Sequence, residues 1–158
     1  MRKTPLKKKS KASIPKLKQK LWDLTSKYVR LSHADESGMV KCATCETIKH
    51  WKDIQAGHWI AKAQGNATAW DLRNIHPQCY RCNINLGGNG PEYTFYMLRR
   101  YGEPVCDELR QLSKTTRKIT RAEYETMIDE MAEKLSKLTS KAFIVEPWSS
   151  EWARNHCS

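Results

Sequence analysis

Four cysteines stand in two pairs, Cys42/Cys45 and Cys79/Cys82, each with a two-residue gap and with 33 residues between the pairs. Such a gap lets one tight turn present both sulfurs to one ion, and four thiolates suit the tetrahedral preference of Zn²⁺. A closed site of this kind is structural and leaves no open coordination position, so any chemistry must come from other side chains. Candidates lie between and just beyond the pairs: His58, Asn74, His76 and Asn83, with Asp53 and Gln55, and His50 further off. Imidazole titrates near neutrality, so a useful fraction of a histidine is free to accept a proton at physiological pH. Each candidate also has a plainer use: an asparagine bonds readily to nearby backbone, and Asp53 or Gln55 suits an ordinary surface. Cys106 and Cys157 lack paired spacing and read as a buried thiol and a tail thiol.

The elements that must position these residues follow from periodicity. Residues 1–13 are charged, poor in apolar side chains and broken by Pro5, which predicts a disordered basic arm. From Pro15 the stripe Leu17, Leu21, Leu24, Tyr28, Leu31 is spaced by four, three, four and three, which predicts a helix ending near Ser32. Val40 to Trp51 reads as a zinc knuckle leading into a short strand, and Ile54 to Ile60 as a strand followed by a loop. From Pro77 a short helix is expected to carry Cys79, Cys82 and Asn83 and to end at Leu86-Gly87-Gly88-Asn89-Gly90. Pro91 opens a helix with Tyr93, Tyr96, Met97 and Tyr101 at helical offsets and Gly102 as its stop; a further helix spans Val105 to Leu112. Thr120 and Glu123 form a capping-box pair ahead of Tyr124, Met127, Ile128, Met131, Leu135 and Leu138. That last stripe suits either the first helix or a second copy of the chain, so a homodimer is one expectation. Trp148 and Trp152 are candidate anchors for the tail.

The chain has 158 residues, 39% of them hydrophobic, and a formal net charge of +11. No apolar run is long enough to cross a bilayer, and the basic start lacks the apolar segment of a secretory signal, so the cytoplasm is the expected location and a membrane partner is not expected. Paired thiolate ligands also suit a reducing compartment. Residues 1–30 hold eleven Lys and Arg against one acid, Asp23, whereas the remainder is nearly balanced. Such an arm suits a polyanion, because each phosphate it neutralises releases condensed counterions. Lys7, Lys8, Lys9, Lys11, Lys16, Lys18 and Lys20, with Arg81 beside the second thiolate pair, are the candidate nucleic-acid contacts.

The spaced motifs VKCATC, HWKDIQAGHWI, GNATAWDLRNIHPQCYRCN and the YGEP stop, preceded by KLKQKLWDLTSKYVRL, together resemble the NinG (Rap) family of lambdoid phage recombination endonucleases over residues 14 to 101. More broadly they resemble the zinc-knuckle form of the HNH, or ββα-metal, nuclease superfamily. The resemblance implies an α+β fold: a small ββα-metal (HNH-like) core stapled by a four-cysteine zinc site, with flanking α-helices. It implies that His58 is the general base that takes a proton from the attacking water, and that the Asn74 carbonyl accepts from one ring nitrogen of His58. It further implies that Asn83 holds a catalytic Mg²⁺ or Mn²⁺, which neutralises charge on the phosphorane and the leaving 3′ oxygen. Many members carry an Asp or His ligand just before the base, whereas this chain has Gly57. His76 is the expected replacement and Asp53 the reserve, although Asp53 lies about 13 Å from residue 57 along an extended strand at roughly 3.3 Å per residue. A third alternative has His58 itself bind the metal.

The expected organisation is an arm over 1–13, a helix and linker over 14–37, a nuclease core over 38–102 and a helical extension and tail over 103–158. The expected function is metal-dependent, structure-selective hydrolysis of phosphodiester bonds in branched DNA, such as Holliday junctions, in concert with phage or host recombination proteins. Two alternatives stay open: a non-enzymatic zinc-stabilised DNA-binding protein, and a sequence-specific HNH endonuclease.

Overall fold

Pro15 sits in the first turn of α1 (Ile14–Ser32), where its missing N–H costs nothing, and Leu17, Leu21, Thr25 and Val29 recur every four residues on the buried face. This is a computed structural model that describes residues 12–141. Lys7, Lys8, Lys9 and Lys11, most of the expected arm, and the tail with Trp148, Trp152 and Cys157 lie outside the described residues. The fold is a small α+β arrangement of two antiparallel strand pairs flanked by helices.

The first pair, β1 (Met39–Lys41) and β2 (Ile48–His50), is a hairpin with Val40 opposite Lys49. The expected knuckle is thus bracketed by a strand on each side. Its loop carries Cys42 and Cys45 and closes through the Cys42 amide on the Thr47 carbonyl (2.9 Å), with Glu46 at a left-handed φ of 62°. The second pair, β3 (Gln55–His58) and β4 (Ile75–Gln78), sets Gly57 opposite His76 and His58 opposite Ile75. Pro77, the expected start of a helix, lies instead inside β4 opposite Ala56, and its carbonyl accepts from the Ala43 amide (2.8 Å). Proline tolerates extended backbone wherever no ladder donor is needed, and here the carbonyl does the linking. The helical segment that follows is a wide π-type turn, Arg81–Asn85, which carries Cys82 and Asn83.

Beyond the turn, α2 (Gly90–Ser113) runs through the expected stop at Gly102, where φ 78° and ψ 170° break the helix ahead of Pro104 before it resumes. Tyr93, Met97, Cys106 and Leu109 on its buried face pack with Ile60, and Tyr96 and Tyr101 pack half-buried against them, so the three tyrosines serve chiefly as core. In the capping box of α3 (Arg121–Lys141), the Thr120 amide donates to Glu123 Oε2 (2.7 Å) while the Glu123 amide donates to Thr120 Oγ1 (3.3 Å). Tyr124, Ile128 and Met131 then bury against Leu17 and Leu21 of α1. From Tyr124 to Met131, the stripe left open between α1 and a second copy is therefore covered within the chain. Val29 of α1 meets Ala56 and Ile75, which seats the long helix on the β3/β4 pair. Among the described residues, no helix is long and apolar enough to cross a membrane.

Candidate metal centre and the histidine beside it

The β1–β2 turn and the end of β4 bring Cys42, Cys45, Cys79 and Cys82 together with their sulfurs all within 4.8 Å of one another, the donor set of a structural zinc site. The Cys79 amide donates to Cys42 Sγ (3.3 Å), and the Asn89 side chain donates to Cys82 Sγ (3.7 Å), contacts that favour thiolate over thiol. Burial opposes ionisation of Cys45, but the Thr47 hydroxyl and amide and the neighbouring sulfurs bring it down to about 6. Cys79, 3.6 Å away, is pushed up to about 12, chiefly by burial. A cation at the centre ionises ligating thiols outright. Val40 and Ile54 pack around the cluster, so the metal would stand in for core that so small a unit lacks.

His58 closes β3. Its Nε2 lies 2.9 Å from the Ala69 carbonyl, which can only accept, so the proton sits on Nε2 and the lone pair on Nδ1. The ring stacks on Trp22 of α1 with centroids 5.0 Å apart. Burial lowers its pKa to about 4; the Ala69 carbonyl opposes this and nearby Lys62 adds to it. At neutral pH the imidazole is therefore uncharged, with one nitrogen committed and the other a base.

The bond expected between Asn74 and His58 is not made. Asn74 is fully buried; its amide oxygen accepts from the Ile60 amide (2.8 Å), and its nitrogen donates to the carbonyls of Ile60 (3.0 Å) and Thr68 (3.1 Å). These bonds tie together the two ends of the loop that delivers the Ala69 carbonyl. Asn74 thus reaches His58 through the loop and not directly. Sequence alone does not point to Trp22, Lys62 or Ala69, because nothing local links them to His58.

His76, the expected replacement ligand, has neither ring nitrogen free. Tyr93 donates its single proton to the Gly57 carbonyl (2.8 Å), so His76 Nδ1, 3.1 Å from the Tyr93 oxygen, carries a proton and donates to it. That leaves Nε2 to accept from the Tyr101 hydroxyl (3.0 Å). Burial, with His33 and Arg100 nearby, lowers its pKa to about 3. Asp53, the reserve, is exposed in the turn before β3 begins. Among the described residues, the four cysteines are the sole group of three or more His, Cys, Asp or Glu side chains that converge on one point.

At Gly57, a different pair of donors converges. A Cβ there would lie 2.1 Å from Gln78 Oε1 and 2.8 Å from Asn83 Oδ1. Gln78 Nε2 donates to the Gly88 carbonyl (2.8 Å), which turns Oε1 toward Gly57, buried and without a hydrogen-bond partner. Asn83 Nδ2 donates to Gln55 Oε1 (2.8 Å), which turns Oδ1 the same way. Two amide oxygens therefore face the bare glycine. Hard neutral oxygens fit Mg²⁺ or Mn²⁺ when water and phosphate oxygens complete the shell, and they supply no charge of their own. Gln78 carries no signal in the sequence because its nearness to Gly57 depends on the β3–β4 register. Lys16, Lys18, Lys20 and Arg81 are all exposed, the first three on α1 and Arg81 on the π-type turn.

The profile of the Bacteriophage Lambda NinG protein family matches residues 1–141. The chain belongs to the NinG family. It is 30% identical to the ninG protein of Salmonella phage P22 over 104 residues, which cover 61% of this chain and 50% of that protein. It is 29% identical to the ninG protein of Escherichia phage lambda over 98 residues, 57% of this chain and 47% of that one. For the ninG protein of Escherichia phage 933W the identity is 34% over 70 residues, 43% and 33% of the two chains. The chain thus spans half or less of the length of these curated relatives. No solved structure matches it. The chain joins membership in the NinG family to a four-cysteine cluster with the donor set of a structural metal site.

Proposed function

We propose that this protein is a metal-dependent endonuclease that hydrolyses phosphodiester bonds in branched DNA during phage recombination, in the host cytoplasm. The observation that carries the reading is a neutral His58 with Nε2 committed to Ala69 and Nδ1 free, on the residue next to Gly57 and its paired amide oxygens. In this reading Nδ1 accepts the proton of the water that attacks phosphorus. Arrival of a phosphate brings negative charge beside the ring, which raises its pKa from about 4 toward the range where a base is effective. Asn83 and Gln78 would hold a divalent cation, which supplies charge neutralisation at the phosphate and the leaving 3′ oxygen. The exposed lysines of α1 and Arg81 contact backbone phosphates, which position the duplex without reading sequence. The products are a 5′ phosphate and a 3′ hydroxyl.

The test is to incubate zinc-loaded protein with labelled four-way, flapped and linear DNA, with and without Mg²⁺ or Mn²⁺, beside His58→Ala. Metal-stimulated cutting of branched DNA, lost by about a hundredfold or more in a variant that still binds, is expected. Binding with no cutting in any metal would instead support a zinc-stabilised DNA-binding protein, the reading favoured by the neutral amides of Gln78 and Asn83 as the side chains nearest Gly57 among the described residues.

A further inference from the structure

We infer that the cavity beside His58 takes an unpaired nucleobase of the substrate, stacked on Trp70 with Trp22 tilted beside it, and with the following phosphate held by Lys62 and Lys18. The cavity encloses about 410 Å³ between α1, the loop after β3 and the start of α3, and its wall includes Lys18, Trp22, Lys62, Ala69, Trp70 and Tyr124. Two of these residues connect it to the candidate base: Trp22 stacks on the imidazole, and the Ala69 carbonyl holds Nε2. A base seated here therefore lies one ring away from His58.

The wall's chemistry selects the ligand. Trp22 and Trp70 are 6.5 Å apart and inclined at 59°, and Trp70 meets Tyr124 edge to face at 87°, so none of these three rings is stacked flat on another. Lys62 Nζ lies 3.7 Å from the Trp22 centroid and 5.5 Å from that of Trp70, and Lys18 Nζ lies 6.0 Å from that of Tyr124. Among the described residues neither lysine is paired with a carboxylate. A cage for a ligand cation would not carry two cations of its own, whereas a planar group attached to a phosphate meets both the rings and the ammoniums. The volume suits one nucleotide and excludes a duplex. Lys62, on a flexible stem, can leave the indole face for the phosphate as the base enters.

This inference rests on the reading of the protein as acting on DNA, and it supplies a source of preference for branched forms. A base inside a duplex must be unpaired and unstacked before it can enter, and one at a flap, bulge or branch point is already free. Selectivity for branched DNA then arises without any contact to a base edge.

The experiment reads binding, not cutting, with the intact zinc-loaded chain and no added divalent ion. The DNA probes are a linear duplex, the same duplex with one unpaired 2-aminopurine at a flap junction, and the flap with an abasic site at that position. The expected results are quenching of the 2-aminopurine on binding and about tenfold tighter binding than to the abasic flap. Trp70→Leu should remove both for the flap while changing duplex affinity less than about twofold, and Trp70→Phe should retain most of each. Lys62→Met, a change at an exposed residue, should reduce the salt dependence of flap binding by about one phosphate contact. Equal affinity for abasic and base-bearing flaps, or quenching that persists in Trp70→Leu, would overturn the inference. Cleavage without quenching removes the stacking site and leaves the nuclease; quenching without cleavage does the reverse.

Discussion

Replacing Gly57 by alanine tests the space between Gln78 and Asn83. The backbone at Gly57 is not left-handed, so any cost is steric. The new methyl would lie 2.1 Å from Gln78 Oε1, about 1 Å inside the closest ordinary contact, and 2.8 Å from Asn83 Oδ1. Gln78 is fully buried and is held from the other side by the Gly88 carbonyl, so it cannot swing away without losing that bond. Overpacking costs about 1–3 kcal/mol and the lost hydrogen bond about 1, against about 0.5–1 gained from a stiffer unfolded chain. The net expectation is a loss of about 2 kcal/mol, or roughly 4–8 °C in Tm for a chain of this size. Urea unfolding of the zinc-loaded protein would measure it. Gln78→Ala in the same chain removes the obstacle, so the double variant should recover at least about 1 kcal/mol of the loss as a coupling term. A neutral Gly57→Ala, or a loss that Gln78→Ala does not relieve, would refute the view that Gln78 occupies the space a ligand side chain would need.

Two further outcomes follow from buried polar groups. Asn74→Ala removes three hydrogen bonds from a fully buried position, so it should cost about 3 kcal/mol in urea unfolding; it should also loosen the His58 contact with Ala69, seen by NMR as a mixture of ring tautomers in place of one. Because burial lowers His58 to about 4, its ring signals in the free protein should titrate near there and not near 6.5. Between those values the unfolded chain binds the proton and the folded one does not, so stability rises with pH. The contribution is complete above about 6.5, is lost as pH falls toward 4, and amounts to at most about 3 kcal/mol. His58→Gln should remove its share of the slope in that window and leave the share of His76, which burial lowers to about 3, and an unchanged curve would count against the assignment.

Several features were legible from residue order because their physics is local. The stripe of α1 needs only a helical period, the Thr120/Glu123 box only three residues, and each thiolate pair only one turn. The pairing of the two CxxC turns was readable as well, since four sulfurs with a shared appetite for one ion leave few other arrangements. Pro77 marks the limit: its local preference suits a helix start, but pairing with Ala56 and the bond from the Ala43 amide hold it in a strand. The candidate site depends still more on distant partners. His76 is a good ligand by type, and only the packing of α2 against β4 shows that the hydroxyls of Tyr93 and Tyr101 take both its nitrogens. Asn74 was the expected partner of His58, but the peptide groups of Ile60 and Thr68 claim its amide. The Ala69 carbonyl, the Gln78 oxygen and the Trp22 face have no signature in the chain. Their nearness to His58 and Gly57 depends on one strand register and one helix seat, and a backbone carbonyl or an amide oxygen becomes special only when burial leaves it a single possible partner.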